Sequence, residues 1–299
     1  MQIFESGPSP VHPVSSLHKS YTSASVLRLD LIHPVISGNK WFKLKCYLEE
    51  ARQWDKKAIL TYGGAYSNHI VATAAAAADQ RLPSIGLIRG EPGKQPSPTL
   101  EQAAALGMQL HFLSRDQYRL RTVPPAVLTA FPLHELYFVN EGGYGKLGAE
   151  GASFIGNLND LSPYTHILAA VGTGTTLAGL VLSALPHQQV IGISVLRNNH
   201  SLPDEINELL PAEKKDRFTL LHDFHFGGYA KSNPALFAFM NEWYELEGIP
   251  SDFVYTGKLF FALRQLMQAG FFPDGSRVLA IHSGGLQGNR SLTKGTLIF

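Results

Sequence analysis

Apolar runs of strand length recur along the chain, most of them ending at glycine-bearing turns and followed by segments with helical spacing. Ala58 to Thr61 precedes Gly63-Gly64, Ser84 to Ile88 precedes Arg89-Gly90, His166 to Val171 precedes Gly172, and Val278 to His282 precedes Gly284-Gly285; Val190 to Val195 is a further run. This alternation predicts parallel β-strands joined by crossover helices, an α/β fold. Helices are expected over Lys43 to Gln53, Asn68 to Asp79, Thr99 to Leu106, Thr176 to Leu185, Pro234 to Glu247 and Lys258 to Ala269. Gly107, Gly248 and Gly270 stand where a helix C-terminus prefers glycine. The alanines Ala74 to Ala78 suit a helix face packed close to a neighbour. Two turn-rich stretches, Gly90 to Pro98 and Ser114 to Pro125, read as loops within this pattern, and no internal repeat is visible.

Composition narrows the function classes. The chain has 299 residues, 44% hydrophobic and 16% charged, enough to bury a sizeable core without a disulfide or metal staple. Lys plus Arg is 25 against 24 for Asp plus Glu, a net charge of +1, and no basic stripe is interleaved with aromatics, which argues against nucleic acid as a partner. The one cysteine, Cys46, forms no internal disulfide, and the start MQIFESGPSP lacks the basic-then-apolar order of a secretory signal, so a cytoplasmic location is expected. The longest weakly polar run, Val71 to Ala78, is far short of the roughly 18 apolar residues of a membrane span, so no membrane partner is expected.

Four segments could carry chemistry. Val171-Gly172-Thr173-Gly174-Thr175-Thr176 follows an apolar strand and opens a helix, so converging N–H groups, threonine hydroxyls and the helix N-terminus suit a phosphate; the alternative is a tight turn of no chemical use. Leu177 replaces the third glycine of the dinucleotide fingerprint. In Ser37-Gly38-Asn39-Lys40, before Trp41-Phe42, a desolvated lysine would be nucleophilic, whereas a solvated one would not. Gly63-Gly64-Ala65-Tyr66-Ser67-Asn68-His69 offers a hydroxyl and an amide that either cap a helix or face a ligand carboxylate. Gly142-Gly143-Tyr144-Gly145-Lys146 fails as a P-loop at Asn140 and Leu147 and reads as a flexible loop with little ligand contact. His222 and His225 lack a third ligand of matching spacing, so no metal site is expected, and the G-x-S-x-G elbow of a hydrolase is absent.

Taken in order, G-N-K, G-G-x-x-S-N-H, the Gly/Thr turn, Val254-Tyr255-Thr256-Gly257-Lys258 and Ile281-His282-Ser283-Gly284-Gly285 resemble the pyridoxal 5′-phosphate enzymes of the ACC (1-aminocyclopropane-1-carboxylate) deaminase and D-cysteine desulfhydrase family, from about Arg28 to Gly285. The resemblance implies a two-domain tryptophan synthase β-like fold (fold type II), with parallel sheets flanked by helices. A large cofactor-binding domain would comprise residues 1–42 and 153–299, and a small inserted α/β domain residues 43–152. It further implies Lys40 as the Schiff-base lysine and Gly172, Thr173, Gly174, Thr175 and Thr176 as the phosphate site. Asn68 would meet the pyridine hydroxyl, Ser67 the substrate, Tyr255 and Tyr229 the cofactor face and substrate, with Ser283 near the pyridine nitrogen and Thr256 beside the cofactor.

The implied reaction is β-elimination from a small amino acid such as D-cysteine, in a homodimer. ACC deamination, D-serine ammonia-lyase activity and a non-catalytic cofactor-binding protein are the alternatives. Thr256 stands where the ACC deaminases carry glutamate, and Tyr66, Phe42 and Val71 also depart from the family pattern, so the substrate pocket is expected to be altered.

Overall fold

The computed structural model describes residues 7–18, 21–93 and 95–299. The chain opens with β1 (Val11–Pro13) and β2 (Ser23–Leu27), then helix α1 (Asn39–Gln53), β3 (Ala58–Gly63), α2 (Asn68–Asp79), β4 (Ser84–Arg89), α3 (Pro98–Ala105) and β5 (Met108–Leu113). Two short helices, α4 (Arg115–Arg119) and α5 (Pro125–Ala130), lead to β6 (Leu136–Val139) and helix α6 (Lys146–Ser153). The rest runs through β7 (His166–Val171), α7 (Thr175–Ser183), β8 (Gln189–Ser194), α8 (Leu202–Asn207), β9 (Phe218–Leu221), α9 (Pro234–Glu247), α10 (Thr256–Gln268) and β10 (Arg277–Ile281).

These strands form two sheets. The smaller has the order β5-β4-β3-β6 and is parallel throughout. The larger has the order β1-β2-β10-β7-β8-β9 and is parallel except for the β1–β2 pair. The central strands β3 and β7 are buried at every position, as parallel strands covered by helices on both faces must be. In open parallel sheets the turns beyond the strand C-termini form the ligand crevice. Here those are the turns after β3, β7 and β10, and they carry Ser67, Gly172 to Gly174, and Ser283.

Close packing of α1, α6 and α7 ties the two sheets together. A Cβ on Gly179 would stand 2.4 Å from the Ala152 Cβ, and one on Gly151 would stand 2.2 Å from the Phe42 carbonyl oxygen, so glycine at both positions lets the three helices touch. On the other face of the larger sheet α9 and α10 build a second core, in which Trp243 stacks on Phe260 at 4.9 Å.

The structure departs from the sequence expectations in several places, and α5, α6 and α8 are helices that were not expected. Helix α1 begins at Asn39 rather than Lys43, which puts Lys40 in its first turn. The stretch 114–125 is not all loop, because Ser114 and Gln117 form a capping box that starts α4. Strands β1, β2, β5, β6 and β9 were not expected: β1 and β9 are short edges, Gln109 and His111 interrupt β5, and the apolar run of β6 is only 4 residues long. Among the described residues, no helix is long and apolar enough to cross a membrane, and no three His, Cys, Asp or Glu side chains gather as a metal site.

Candidate active site

Helix α1 starts against the turn after β10. Gly38 has a φ of 68°, and a Cβ there would lie 1.9 Å from the Ser283 carbonyl oxygen, so only glycine permits this approach. The Asn39 N–H donates to that same oxygen at 3.2 Å. Lys40 Nζ donates to Asn39 Oδ1 at 3.2 Å, and Asn39 Nδ2 donates to Thr176 Oγ1 at 2.8 Å, linking the lysine to the Gly/Thr turn. Burial pulls the Lys40 amine down to about 8, against an opposing pull from the Asp252 carboxylate. One helical turn further on, Lys43 is buried and donates to the Gly142 carbonyl at 2.9 Å. Its amine is held well below the ordinary range by burial and by Lys40.

The Gly/Thr turn opens α7. Gly174 adopts a left-handed φ of 79°, and a Cβ there would strike Ile206 at 2.3 Å. Gly172 lies beneath Tyr255, whose ring carbon Cε1 would be 3.2 Å from an added Cβ. Lys40, Gly172, Thr173, Gly174, Thr176 and Ser283 border an inner cavity of about 60 Å³ at the helix N-terminus. Thr175 is fully buried with its hydroxyl 3.1 Å from that of Thr173, so its side chain does not border this cavity.

The turn after β3 supplies the opposite wall. Ser67 occupies the N-cap position of α2, yet its hydroxyl makes no capping bond and borders the larger, outer cavity. Asn68 borders both cavities, and its Oδ1 is buried with no hydrogen-bond partner in the protein. A buried amide oxygen without a donor is costly, which marks it as awaiting one. His69 lies deeper, its Nε2 2.8 Å from Thr61 Oγ1, and burial together with Lys40 and Lys43 lowers its pKa well below the usual range.

Tyr255 and Tyr229 face each other across the mouth with ring centroids 6.1 Å apart. The Tyr255 phenol is raised well above its ordinary value by burial and by Tyr229, so it stays protonated. Thr256 is the correction to the expected site. Its hydroxyl donates to Asp252 Oδ2 at 2.8 Å and accepts from the Asp252 N–H at 2.7 Å, so it is spent on the start of α10 and borders neither cavity. Gly142, in a loop expected to have little ligand contact, borders both cavities. Sequence reasoning missed Asn39 and Lys43 as site residues, although S-G-N-K and the lysine one turn later were visible.

An amine in a pocket, a turn of glycines and threonines at a helix N-terminus, and an unpartnered buried amide fit an aldehyde-bearing aromatic phosphate. The chain belongs to the pyridoxal-phosphate dependent enzyme family, which it matches over residues 4–284. Its fold is of type II, the tryptophan synthase β-like architecture. It is 30% identical over 286 residues to a Pyrococcus abyssi protein described as a candidate 1-aminocyclopropane-1-carboxylate deaminase, covering 88% of this chain and 84% of that one. It is 25% identical over 300 residues to a D-cysteine desulfhydrase of Klebsiella pneumoniae subsp. pneumoniae, covering 93% and 92%. Among solved structures, an ACC deaminase homologue superposes with a TM-score of 0.83 at 25% identity over 97% of this chain and 92% of that one. An O-ureido-L-serine synthase shares the fold, with a TM-score of 0.71 at 15% identity over 98% and 94%.

Proposed function

We propose that this pyridoxal-phosphate dependent enzyme eliminates the β-substituent of a small amino acid, with D-cysteine preferred to ACC. One observation carries the preference: among the described residues, those that border both cavities are Lys40, Asn68, Gly142, Gly172, Thr173 and Tyr255, none of them a carboxylate, while Glu141 and Glu205 border the outer cavity alone. Asp252, the nearby acid, is fully buried and accepts from the N–H groups of Val254, Tyr255 and Thr256 and from the Thr256 hydroxyl. Where the two cavities meet, the titratable groups are therefore the Lys40 amine and the Tyr255 phenol, and the phenol is held protonated. When bound, the cofactor supplies the electron sink for charge developing at Cα.

The residues of the chain would do the rest. Lys40, Thr173, Gly174 and Thr176 would hold the cofactor, with Gly172 leaving room for Tyr255 and Asn68 supplying an amide at the ring's edge. Ser67 would bind the substrate carboxylate. The Lys40 amine, neutral in useful proportion near pH 8, would accept the Cα proton. Tyr255, kept protonated, would offer a hydrogen bond to the departing sulfur, with Tyr229 closing the other side. Breaking Cα–H and Cβ–S and adding one water converts D-cysteine to pyruvate, ammonia and hydrogen sulfide. ACC has no Cα proton, so this arrangement offers it no equivalent first step.

Keto acid release from D-cysteine and from ACC under identical conditions tests the proposal. Faster release from D-cysteine is expected; faster release from ACC would overturn the ranking, and release from neither would favour the non-catalytic alternative. We also take the chain to pair as a homodimer, because its net charge of +1 offers little electrostatic resistance to self-association. Light scattering should give twice the mass of the 32.7 kDa chain, and a monomer at every concentration would reject pairing.

A further inference from the structure

The outer cavity measures about 670 Å³, within the range of about 300–1,000 Å³ in which proteins bury drug-sized ligands. It shares Lys40, Asn68, Gly172, Thr173 and Tyr255 with the inner site, so part of it belongs to the cofactor ring. A three-carbon amino acid would leave much of the remainder to water. Leu196, Phe253 and Val254 give this space an apolar wall, while Arg89 and Arg121 also border it.

Both arginines are exposed, and each guanidinium lies near a tyrosine ring. Arg89 ends β4, and one of its terminal nitrogens lies 3.8 Å from where a Cβ on Gly64 would be, beside the turn that carries Ser67. Its guanidinium carbon is 5.8 Å from the Tyr118 ring centre. Arg121 adopts a left-handed φ of 55°, and its guanidinium carbon lies 4.5 Å from the Tyr62 ring centre. The two tyrosine rings meet edge to face at 6.0 Å, so the two cations rest on one aromatic platform. Glu141 also borders the cavity and acts on Tyr118 together with the two arginines, leaving this end one positive charge in excess. Glu205 borders the cavity from α8, where its carboxylate accepts from the Ser201 hydroxyl. Among the described residues neither arginine forms an ion pair. Planar guanidinium groups that lie over rings and make no ion pair are suited to bidentate capture of a carboxylate.

We propose that the physiological substrate is an amino acid whose β-substituent ends in a carboxylate, bound at that far end by Arg89 and Arg121. The inference rests on the elimination reading above and extends it: the α-carboxylate would sit at Ser67, the apolar wall would pass the linking atoms, and the arginines would hold the second acid. With a thioether substrate, loss of the Cα proton and cleavage of Cβ–S send the electron pair to sulfur, which leaves as a mercapto acid once protonated. One water then completes conversion of the remainder to pyruvate and ammonia.

The test uses an isosteric pair, S-carboxymethyl-D-cysteine and its S-carbamoylmethyl counterpart, which differ only in the charge of the terminal group. Their α-methyl derivatives, which have no Cα proton to lose, are titrated into the cofactor-loaded enzyme by calorimetry. The carboxylate should bind at least tenfold tighter than the amide, and this ratio should fall toward one in Arg89→Gln and Arg121→Gln. Arg89→Lys and Arg121→Lys, which keep the charge and lose the fork, should give ratios in between. Equal binding of the two probes by the unmodified enzyme would overturn the proposal without reliance on any variant. So would a preference that survives in the double glutamine variant. Keto acid release from the reactive pair and from D-cysteine is read separately: no release from any of them would sink the elimination reading, while the binding ratio would still decide the role of the arginines.

Discussion

Among the described residues, Lys40 is the lysine that borders both cavities. It sits in the first turn of α1 because Gly38 brings the chain against Ser283, and Asn39 ties its amine to Thr176. Burial favours the neutral form, and only the neutral amine attacks an aldehyde. The sign follows directly: below about 8 the amine is mostly protonated, so covalent loading of the cofactor-free protein should speed up roughly tenfold per pH unit and then level off above about 8. Stopped-flow absorbance between pH 6 and pH 10 measures this. A rate still climbing steeply at pH 10 would show an ordinary solvated lysine. The residue types of this site were legible in S-G-N-K and S-N-H. Which hydroxyls face the cavity was not, because Thr256 is claimed by Asp252, and Thr175 is buried with its hydroxyl against that of Thr173.

Among the elements, α10 does more than its sequence suggests. The Asp252 carboxylate accepts from the N–H groups of Val254, Tyr255 and Thr256, which lead into the helix, and so fixes Tyr255 at its start. Lys258, fully buried, donates to the carbonyls of His225 and Gly228 at 2.8 Å each and so anchors the loop that carries Tyr229. That loop is strained at Phe226 and Ala230, whose φ values are 53° and 52°, while glycine accommodates the positive φ at positions 227 and 228. Lys258→Met would leave two carbonyls without their donor and should lower stability by about 2 kcal/mol in chemical denaturation. Amide exchange over residues 226–231 should accelerate; unchanged stability and exchange would show that the loop holds itself. The motif Y-T-G-K displayed Lys258 plainly, but its partners lie 30 and 33 residues away, a separation that no local spacing encodes.

In the whole molecule, the site exists because the turns after β3, β7 and β10 meet where α1 passes between the two sheets. The buried strands β3, β4, β7, β8 and β10 were readable because both faces are apolar. The edges β1 and β9 were not, since pairing on one side relaxes the demand on side chains. Arg89 lay at the end of a recognised strand and Arg121 in a stretch read as loop, so only the fold shows them bordering one cavity. The central claim is that Lys40 is where this assembly binds pyridoxal phosphate. Borohydride reduction of the purified yellow protein, followed by proteolysis and mass spectrometry, should find the cofactor fixed to the peptide containing Lys40, and Lys40→Ala should abolish that labelling. Label on Lys43, Lys258 or any other lysine of the unmodified protein would contradict the account.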